Sequence, residues 1–322
     1  MTEDADASGW FESVPPDDPD AARDAIENGS AETPDDWPAR AVESGFAERE
    51  DEYYDALHEA TLHATREAVK ERERADDQQL KHSIRAMDDA ERTANELAER
   101  AVEWGGSLFD DVSTGLAGAR GLAEREPTDP TEERAVSLAR RAVDLSEEAD
   151  ALRAHVERTA PSAMPNLAEM AGPVLAARLV ALAGGLETLA RKPSGTVQVL
   201  GAEDALFAHL AGHAPSPKHG VIYTHDAVRN TRPADRGSAA RALAGKLAIA
   251  ARIDHYSGEY RPEIHDQLRE RIETIRARAG ASDATDDGPD DGAGGVEDPG
   301  DGAGEEATEG ADPAGDEGGG AE

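Results

Sequence analysis

The sequence predicts an all-α protein in which a long antiparallel coiled-coil hairpin precedes a compact helical domain, with disordered acidic tails. Three observations support this prediction. Residues 52–104 contain no proline or glycine and are rich in Ala, Glu, Arg and Leu, which favour helices. Apolar residues recur every three or four positions within residues 80–104 and again within residues 131–158. Residues 161–280 are dense in Ala, Leu and Gly, a composition that lets helices approach closely.

A hydrophobic seam indicates how the hairpin is built. Within residues 131–158 apolar side chains alternate steps of four and three, which is the a/d pattern of a coiled coil. We therefore expect residues 51–160 to form two coiled-coil helices with a short connecting loop near "GGSLFDDVSTGLAG". The seam would bury against its own partner helix, against another copy of the chain, or both. The predicted seam residues are Leu80, Ile84, Met87, Leu97, Leu138, Leu145, Leu152 and Val156.

The segment "TAPSAMPNL" is the predicted hinge between the hairpin and the helical domain over residues 161–280. Clusters of β-branched residues in "TVQVL" and "GVIYT" favour a short extended piece inside this domain. The last helix, "PEIHDQLRERIETIRARA", is expected to close the domain before the acidic tail.

Both ends of the chain are acidic. Residues 281–322 contain fifteen Asp and Glu, no Lys or Arg and no aromatic residue, so they cannot bury enough apolar surface to offset the entropy of ordering. Residues 1–50, with fifteen acids, three arginines and several prolines, are interpreted as a remnant N-terminal region. The residues in it that could dock on another surface are Trp10, Phe11, Trp37 and Phe46.

The charge of the whole chain indicates an adaptation rather than a single function. The formal net charge is −36, arginine outnumbers lysine 28 to 5, and cysteine is absent. This profile is expected of a protein from a salt-loaded cytoplasm, as in a halophilic archaeon. The alternative is an acidic protein that repels nucleic acid at ordinary salt. No membrane-length apolar run or signal peptide is recognised, so we expect a cytoplasmic protein without membrane contact.

Residues 161–260 depart from this acidity. They contain ten Lys and Arg against eight Asp and Glu, which suggests a polyanionic partner. Basic residues gather within residues 216–237, together with His219, Tyr223 and His225. Arginine forks suit phosphates, and His or Tyr rings can stack on unpaired bases. At molar salt the Debye length is about 3 Å, so binding must depend on close contacts rather than on a broad positive field.

Each of these residues also has a plainer interpretation. A single histidine such as His219 is more often a surface or helix-capping residue than a base-stacking one. Lys246 and Arg252 can lie along a packed helix with only their charged ends in water. The spacing of His219, His225 and Asp226 matches no zinc or acid–base arrangement. Because nucleotide-binding glycine loops and cysteine ligands are also absent from the sequence, we expect no catalytic residue, no metal and no cofactor.

Several collinear pieces of the chain resemble a known family. They are "AGGLETLA", "VQVLGAEDALF", "PKHGVIY" and "RGSAARALAGKLAIAARID", which follow Asn166 and Leu167 over about a hundred residues. This stretch resembles the NOP domain, the RNA–protein recognition module of box C/D ribonucleoprotein scaffolds and their splicing-factor relatives. The segment "DDQQLKHSIRAMDDAERTANELAERAVEW" resembles the first coiled-coil helix of the archaeal scaffold. The resemblance therefore covers residues 51–275 and identifies residues 161–280 as a NOP domain.

The resemblance implies a non-catalytic scaffold for guided ribose 2′-O-methylation of ribosomal or transfer RNA. Such a protein self-associates through its coiled coil and clasps the kink-turn of a box C/D guide RNA together with the ribosomal-type protein bound there. It also recruits a fibrillarin-type methyltransferase, which uses S-adenosylmethionine. The residues expected to bind RNA and the kink-turn protein are Gly201, Ala202, Glu203, Lys218, His219, Gly220, Arg229, Arg236, Arg241 and Lys246.

The chain departs from the family pattern at several places. Asp204 follows the Gly-Ala-Glu triplet where the family usually has lysine, and Ser238 stands in the family's "RGK". The tail is acidic instead of basic. Archaeal relatives have a folded α/β domain before the coiled coil, and this domain binds the methyltransferase. In this chain an acidic segment of about fifty residues, interrupted by prolines, stands in its place. The resemblance is thus to a haloarchaeal scaffold with a shortened N-terminal region.

The shortened region leaves several interpretations open. Methyltransferase docking would use the remnant around Trp10 or the helix that contains Tyr53 and Tyr54. A second interpretation is a NOP module in another ribonucleoprotein without a methyltransferase. A third is an enzyme that acts on RNA, and a fourth is a coiled-coil adaptor without RNA.

Overall fold

The computed structural model describes residues 9–12, 14–15, 18–29 and 35–284, with side chains as far as Ala277. These residues form α-helices, one 3-10 helix and no strand, which confirms the all-α prediction. The helices are α1 (Pro19–Asn28), α2 (Trp37–Glu43), α3 (Glu50–Arg74), α4 (Asp76–Gly106), α5 (Gly115–Ala123), α6 (Pro130–Ala163), α7 (Pro165–Ala171), α8 (Pro173–Ala183), α9 (Leu186–Arg191), α10 (Ser194–Val199), α11 (Glu203–Leu210), α12 (Asp226–Arg229), α13 (Arg236–Tyr256) and α14 (Glu263–Ala284).

The described part of the N-terminal region is folded, which corrects its interpretation as a disordered remnant. α1 and α2 pack against α3 around an aromatic cluster. Phe11 is 2% exposed, and the ring centroids of Trp10 and Phe46 are 5.4 Å apart. The indole N–H of Trp10 donates to the Tyr53 hydroxyl at 3.4 Å. At the other end of the chain, residues 285–322 of the predicted disordered tail lie outside the described residues.

The first long helix is broken at Ala75, although residues 52–104 lack proline and glycine. Ala75 has a ψ of 142°, so α3 ends and α4 begins at this residue. Arg72 spans the break and donates to the two oxygens of Asp77 at 2.8 and 3.1 Å. The second of these oxygens also accepts the main-chain N–H of Leu186 at 2.9 Å. A tertiary contact therefore holds the break, which local helix propensity does not reveal.

α4 and α6 lie antiparallel and form a hairpin. Glu91 of α4 pairs with Arg153 of α6 at 3.6 Å, and Ala98 shares a buried cluster with Val136 near the turn. The prediction of a short loop between them is wrong, because the connection contains α5. This helix packs against both long helices and contributes the buried Leu122 to the cluster.

The predicted seam is deeply buried only in part. The seam residues that are at most 1% exposed are Leu80, Ile84, Met87 and Val156. The half-buried ones are Leu97, Leu138, Leu145 and Leu152. Small residues of α6 are buried beside these leucines: Ala135, Ala139 and Ala142 are 0% exposed, and Ser146 and Ala149 are 9% and 7% exposed. Alanines let helices approach closely, so the larger leucines lie at the edges of the contact.

The hairpin and the helical domain share one core. α6 runs through Pro161 and ends at Ala163, which is beyond the start of the predicted hinge. Leu80 of the hairpin and Leu243 of α13 are both fully buried members of the same apolar cluster. The predicted domain boundary between residues 160 and 161 therefore does not separate two cores.

A buried polar network anchors the beginning of the domain. The Asp254 carboxylate on α13 accepts the main-chain N–H groups of Asn166 and Leu167 at 3.0 and 2.8 Å. The Asn166 side-chain amide donates to the same carboxylate at 2.7 Å, and its oxygen accepts the N–H of Arg261 at 2.7 Å. Burial raises the pKa of Asp254, while the N–H donors oppose this rise. The Asn-Leu pair thus has a structural role at the start of α7.

The two segments expected to be extended are helical instead. "TVQVL" lies largely in α10, and "GVIYT" contains the 3-10 helix Val221–Thr224. Val197 and Ile222 are 1% and 0% exposed, and both segments contact α13. Packing against α13 therefore overrides the weak β-propensity of these short segments.

The apolar helices belong to the core. Among the described residues, no single helix is both long and apolar enough to cross a membrane. α7 and α8 reach that apolar length together, but the chain bends by 115° between them. Most of their larger apolar side chains are buried within the protein, as shown by Leu167 and Leu179, which are both 0% exposed, whereas Leu182 is 43% exposed.

Candidate nucleic-acid interface

Two of the predicted site segments lie side by side. The N–H of Gly220 donates to the Gln198 carbonyl at 2.8 Å, and the N–H of Val221 donates to the Leu200 carbonyl at 2.7 Å. The Gln198 side chain donates to the Lys218 carbonyl at 2.7 Å. A Cβ on Gly220 would lie 2.0 Å from the Leu200 oxygen, so glycine is required for this approach. The segment is thereby held against the turn that precedes α11.

The Gly-Ala-Glu triplet forms that turn. Gly201 has a φ of +78°, in the left-handed region that favours glycine. Its N–H donates to the Glu203 carboxylate at 2.9 Å, so one carboxylate oxygen is engaged within the turn. The N–H of Ala202 donates to the Val199 carbonyl at 2.9 Å. Asp204 is exposed in the first turn of α11, where it adds negative charge.

His219 does not stand alone in this surface. Its ring stacks on that of Tyr223, with centroids 4.6 Å apart and planes 22° from parallel. The Arg236 guanidinium carbon lies 5.4 Å from the Tyr223 ring centroid, within cation–π range. Arg236 is itself held by a 3.1 Å hydrogen bond from Nε to the Thr231 carbonyl. Burial lowers the pKa of His219, and the charges of Arg236 and Lys218 lower it further, so the imidazole is mainly neutral at pH 7.

A cleft of about 620 Å³ opens between α10 and α13. Lys218 and Arg241 both line it, and none of its lining residues is acidic. The stem of Lys218 passes close to Gly237 at the start of α13. Within the described part of the chain, neither the Lys218 ammonium nor the Arg241 guanidinium has an ion-pair partner. Two such cations in a cleft without carboxylates suit an anionic group such as a phosphate.

Arg229 lies at the edge of this surface. Its guanidinium pairs with Asp226 at 2.9 Å, and both side chains are mostly exposed, so the pair contributes little and can open. Its carbonyl oxygen accepts a hydrogen bond from Arg236 at 3.5 Å. Arg229 is therefore joined to the ring stack through the backbone rather than through its own charge.

Lys246 is placed apart from the other predicted residues. It follows Arg241 by five positions on α13 and so lies on a different side of the helix. Its ammonium donates to the Gln267 side chain of α14. Arg252 likewise donates to the Ala190 carbonyl at 3.0 Å. Both cations therefore contribute to helix packing.

His225 is not a partner of His219. Its Nε2 donates to the Met170 carbonyl at 3.0 Å, and its Nδ1 accepts the Ala227 N–H at 3.0 Å. Burial lowers the pKa of His225, consistent with this neutral form. Among the residues with described positions, no three His, Cys, Asp or Glu side chains gather as a metal site would require.

Some residues that build the surface were not among the predicted site residues. Gln198 fastens the two segments together, and Thr231, only 3% exposed, supplies the carbonyl that holds Arg236. The ring of Tyr223, expected to be offered to a base, stacks on the ring of His219. These roles depend on contacts between distant residues and become visible only in the folded chain.

α11 adds an exposed apolar side to the surface. Phe207 and Leu210 are 65% and 71% exposed, and no residue of this helix is buried. Leu206 of the same helix lines the cleft that holds the two cations. Large exposed apolar side chains commonly mark a contact with another protein. The fold and the surface together define an all-α module suited to binding an anionic polymer and a protein side by side.

Comparison with known proteins identifies this module. The chain belongs to the Nop family, because the family model described as "snoRNA binding domain, fibrillarin" matches residues 107–276. A chain in the crystal structure of a fibrillarin/Nop5p complex is also similar, with 24% identity and a TM-score of 0.46. That similarity covers 79% of this chain and 92% of the other.

Individual relatives match different lengths of the chain. A NOP5 family protein from Methanocaldococcus jannaschii is 32% identical in an alignment 273 positions long that covers 73% of this chain and 66% of the relative. Nucleolar protein 56 from Schizosaccharomyces pombe is 36% identical over 141 residues, 44% of this chain and 28% of the relative. Nucleolar protein 58 from Neurospora crassa is 37% identical over 142 residues, 44% and 24% respectively. The chain thus spans just under two thirds of the archaeal relative and about a quarter of each nucleolar protein.

Proposed function

We propose that this chain is a non-catalytic scaffold of a box C/D guide ribonucleoprotein. It binds a kink-turn guide RNA with its bound ribosomal-type protein and brings them to a fibrillarin-type methyltransferase for ribose 2′-O-methylation. The observation that carries this proposal is the juxtaposition of the Gly-Ala-Glu turn with the segment around His219, in a chain that belongs to the Nop family. The chain supplies binding groups, and the methyltransferase supplies the chemistry.

The RNA is assigned to the side of the domain that carries the ring stack and the cleft. His219 offers a neutral ring, and Lys218 and Arg241 offer cations without carboxylate neighbours in the cleft. Stacking and short hydrogen bonds persist at molar salt, where long-range attraction is screened. The kink-turn protein is assigned to α11, where Phe207 and Leu210 are exposed.

The methyltransferase is assigned to the N-terminal aromatic cluster. A cleft of about 360 Å³ opens there, lined by residues that include Trp10 and Phe46, and by Asp18 and Glu59. Such a cleft suits an apolar side chain from a basic segment. Tyr54 of α3 is 57% exposed, and its ring contacts that of buried Tyr53 in the cluster. The N-terminal region around Trp10 and the helix α3 therefore form one surface.

The hairpin is assigned to self-association. Leu80, Ile84 and Met87 are buried within the chain, so a second copy would meet the outer side of the hairpin. Trp104, 38% exposed near the end of α4, is the large apolar residue available there. Trp104→Glu should lower the molar mass measured by sedimentation at high salt. An unchanged mass would remove this residue from the contact.

The proposal is tested by affinity purification of the tagged chain from native extract at molar salt, followed by RNA sequencing and mass spectrometry. Recovery of box C/D guide RNAs, the kink-turn protein and a methyltransferase is expected. Recovery of RNA and the kink-turn protein alone would favour the alternative, a Nop module of another ribonucleoprotein. Recovery of no RNA would contradict the assignment altogether.

Variants separate the two assigned surfaces. His219→Ala should weaken assembly on a kink-turn RNA with its bound protein by about 5- to 150-fold, corresponding to the roughly 1–3 kcal/mol of base stacking. His213→Ala, at an exposed position, is the matched control. Tyr54→Ala should release the methyltransferase while RNA is retained, with Leu62→Ala on the same helix as its control.

A further inference from the structure

Two side chains contact the Tyr223 ring. The Tyr223 ring lies against the imidazole with centroids 4.6 Å apart, and the Arg236 guanidinium lies 5.4 Å from the Tyr223 centroid. The Tyr223 ring therefore contacts both an imidazole and a planar cation, and these three groups, on one loop and the adjoining helix start, are named the stacking column. Among the described residues, the His219 ring has no second aromatic neighbour.

The backbone holds each layer in place. His219 lies between Lys218, whose carbonyl accepts the Gln198 amide, and Gly220, which packs against Leu200. Tyr223 belongs to the 3-10 helix Val221–Thr224 and donates its N–H to the Gly220 carbonyl at 3.0 Å. Because the two rings are only four positions apart on a constrained segment, the stack is preorganised rather than formed by chance contact.

The electrostatics of the column favour a flat, neutral ligand at the imidazole. His219 is mainly neutral at pH 7, because burial and the nearby cations oppose its protonation. A neutral imidazole offers little attraction to a phosphate, which the cleft at Lys218 and Arg241 can accept instead. A ring that is already stacked on one side loses no further rotamer freedom when a base stacks on the other.

From these contacts we propose that Tyr223 is the positioning residue of the RNA site: it holds His219 so that one unpaired nucleobase stacks on the imidazole as the next layer. This inference rests on the proposed function and adds a positioning residue to it. Tyr223 touches His219 and not the RNA. Arg236, the second neighbour of the Tyr223 ring, is itself held by its hydrogen bond to the Thr231 carbonyl.

The first test compares variants of the full chain. Affinity is measured for a synthetic box C/D kink-turn RNA with its kink-turn protein already bound, at molar salt. Tyr223→Leu should weaken binding about as much as His219→Ala, by at least fivefold, and the double variant should lose no more than His219→Ala alone. Tyr223→Phe keeps the ring and should restore binding. Tyr256→Leu, at an exposed tyrosine that also contacts a histidine ring, is the matched control.

The second test needs no altered tyrosine. Bases of the unpaired nucleotides are removed one at a time from the RNA, and each abasic RNA is bound to the unaltered chain and to His219→Ala. One position should weaken binding to the unaltered chain by at least fivefold and leave binding to His219→Ala unchanged.

The outcomes separate the inference from the function on which it rests. If the unaltered chain binds no kink-turn particle, the proposed function fails. If it binds but no abasic position depends on His219, or if the Tyr223→Leu and His219→Ala losses simply add, the stacking column is wrong while the scaffold function stands.

Discussion

The carboxylate of Asp77, in the first turn of α4, accepts the main-chain N–H of Leu186 at 2.9 Å. The same carboxylate is held by both terminal nitrogens of Arg72 across the break at Ala75. Gly185 makes this possible, because its φ is +140° and a Cβ there would lie 2.7 Å from Gln78 Nε2. One acidic side chain therefore joins α3, α4 and the start of α9.

We predict that Asp77→Asn lowers the free energy of unfolding by about 1–3 kcal/mol, because buried donors lose a charged acceptor. Urea unfolding at constant high salt measures the loss. Asp76→Asn, at the exposed neighbouring position, should change stability by less than about 0.5 kcal/mol.

Burial alone would raise the pKa of Asp77, but hydrogen bonds from Arg72 and Leu186 outweigh it and lower the pKa. The stabilisation should therefore be complete well above pH 4 and be lost in stronger acid. Equal losses in the two variants would contradict this account.

Gly220→Ala is expected to disrupt the candidate interface from within. The added Cβ would lie 2.0 Å from the Leu200 carbonyl oxygen, so the segment must move away. We expect destabilisation of about 1–3 kcal/mol together with weaker RNA assembly. Gly245→Ala, where a Cβ meets no atom within 4 Å, is the control and should be neutral or stabilising. Thermal unfolding and the RNA-binding assay together check the prediction, and normal behaviour of Gly220→Ala would disprove the close approach.

His225 should make the protein sensitive to mild acid. Its Nδ1 accepts the Ala227 N–H, so protonation breaks this cap, and burial lowers the pKa below its ordinary value of 6.5. The folded state therefore takes up the proton less readily than the unfolded chain, and stability should be complete above about pH 6.5 and decrease as the pH falls below it. His225→Asn keeps a capping acceptor without titrating. Melting temperatures across this range should fall less steeply for the variant, whereas parallel curves would exclude His225.

Asp254→Ala should be among the most destabilising single changes in the domain. It leaves the main-chain N–H groups of Asn166 and Leu167 and the Asn166 amide without their acceptor. Each buried unsatisfied donor costs about 1–3 kcal/mol. Asp266→Ala, on the exposed side of α14, should change stability by less than about 0.5 kcal/mol. Chemical unfolding of both variants measures the difference, and similar midpoints would show that the network contributes little.

Helix content was predictable because it depends on composition and on apolar spacing within single segments. The break at Ala75 was not, since Ala, Asp and Gln at that point are all compatible with a helix and the contact that holds the break comes from Leu186. The seam was predicted from leucine spacing, but the alanines beside Leu138 and Leu145 are buried more deeply. Which face of α6 lies deepest depends on α5, whose position spacing alone does not determine.

In the candidate site, too, some features were predictable from local sequence and others depend on tertiary contacts. Gly201 and Gly220 were identified from local motifs, and their conformation or close contacts explain the need for glycine. Lys246, which the family resemblance placed in the site, lies apart from Arg241 because five positions on a helix turn a side chain to another face. From the sequence, the Tyr223 ring suited two roles equally well: stacking on an RNA base or supporting a neighbouring side chain. Its 4.6 Å contact with the His219 ring favours the second role.

The core shared by the hairpin and the helical domain has an evolutionary consequence. α4 has 31 residues, which corresponds to a length of about 46 Å at the helical rise. Because Leu80 near one end packs in the core that also contains Leu243, the hairpin is fixed to the helical domain, and its length sets the distance from that domain to its far end. Matched insertions of two helical turns in α4 and α6 would move its far end by about 10 Å without altering either end's surface. The distance between bound partners can thus change through evolution independently of the contacts that hold them.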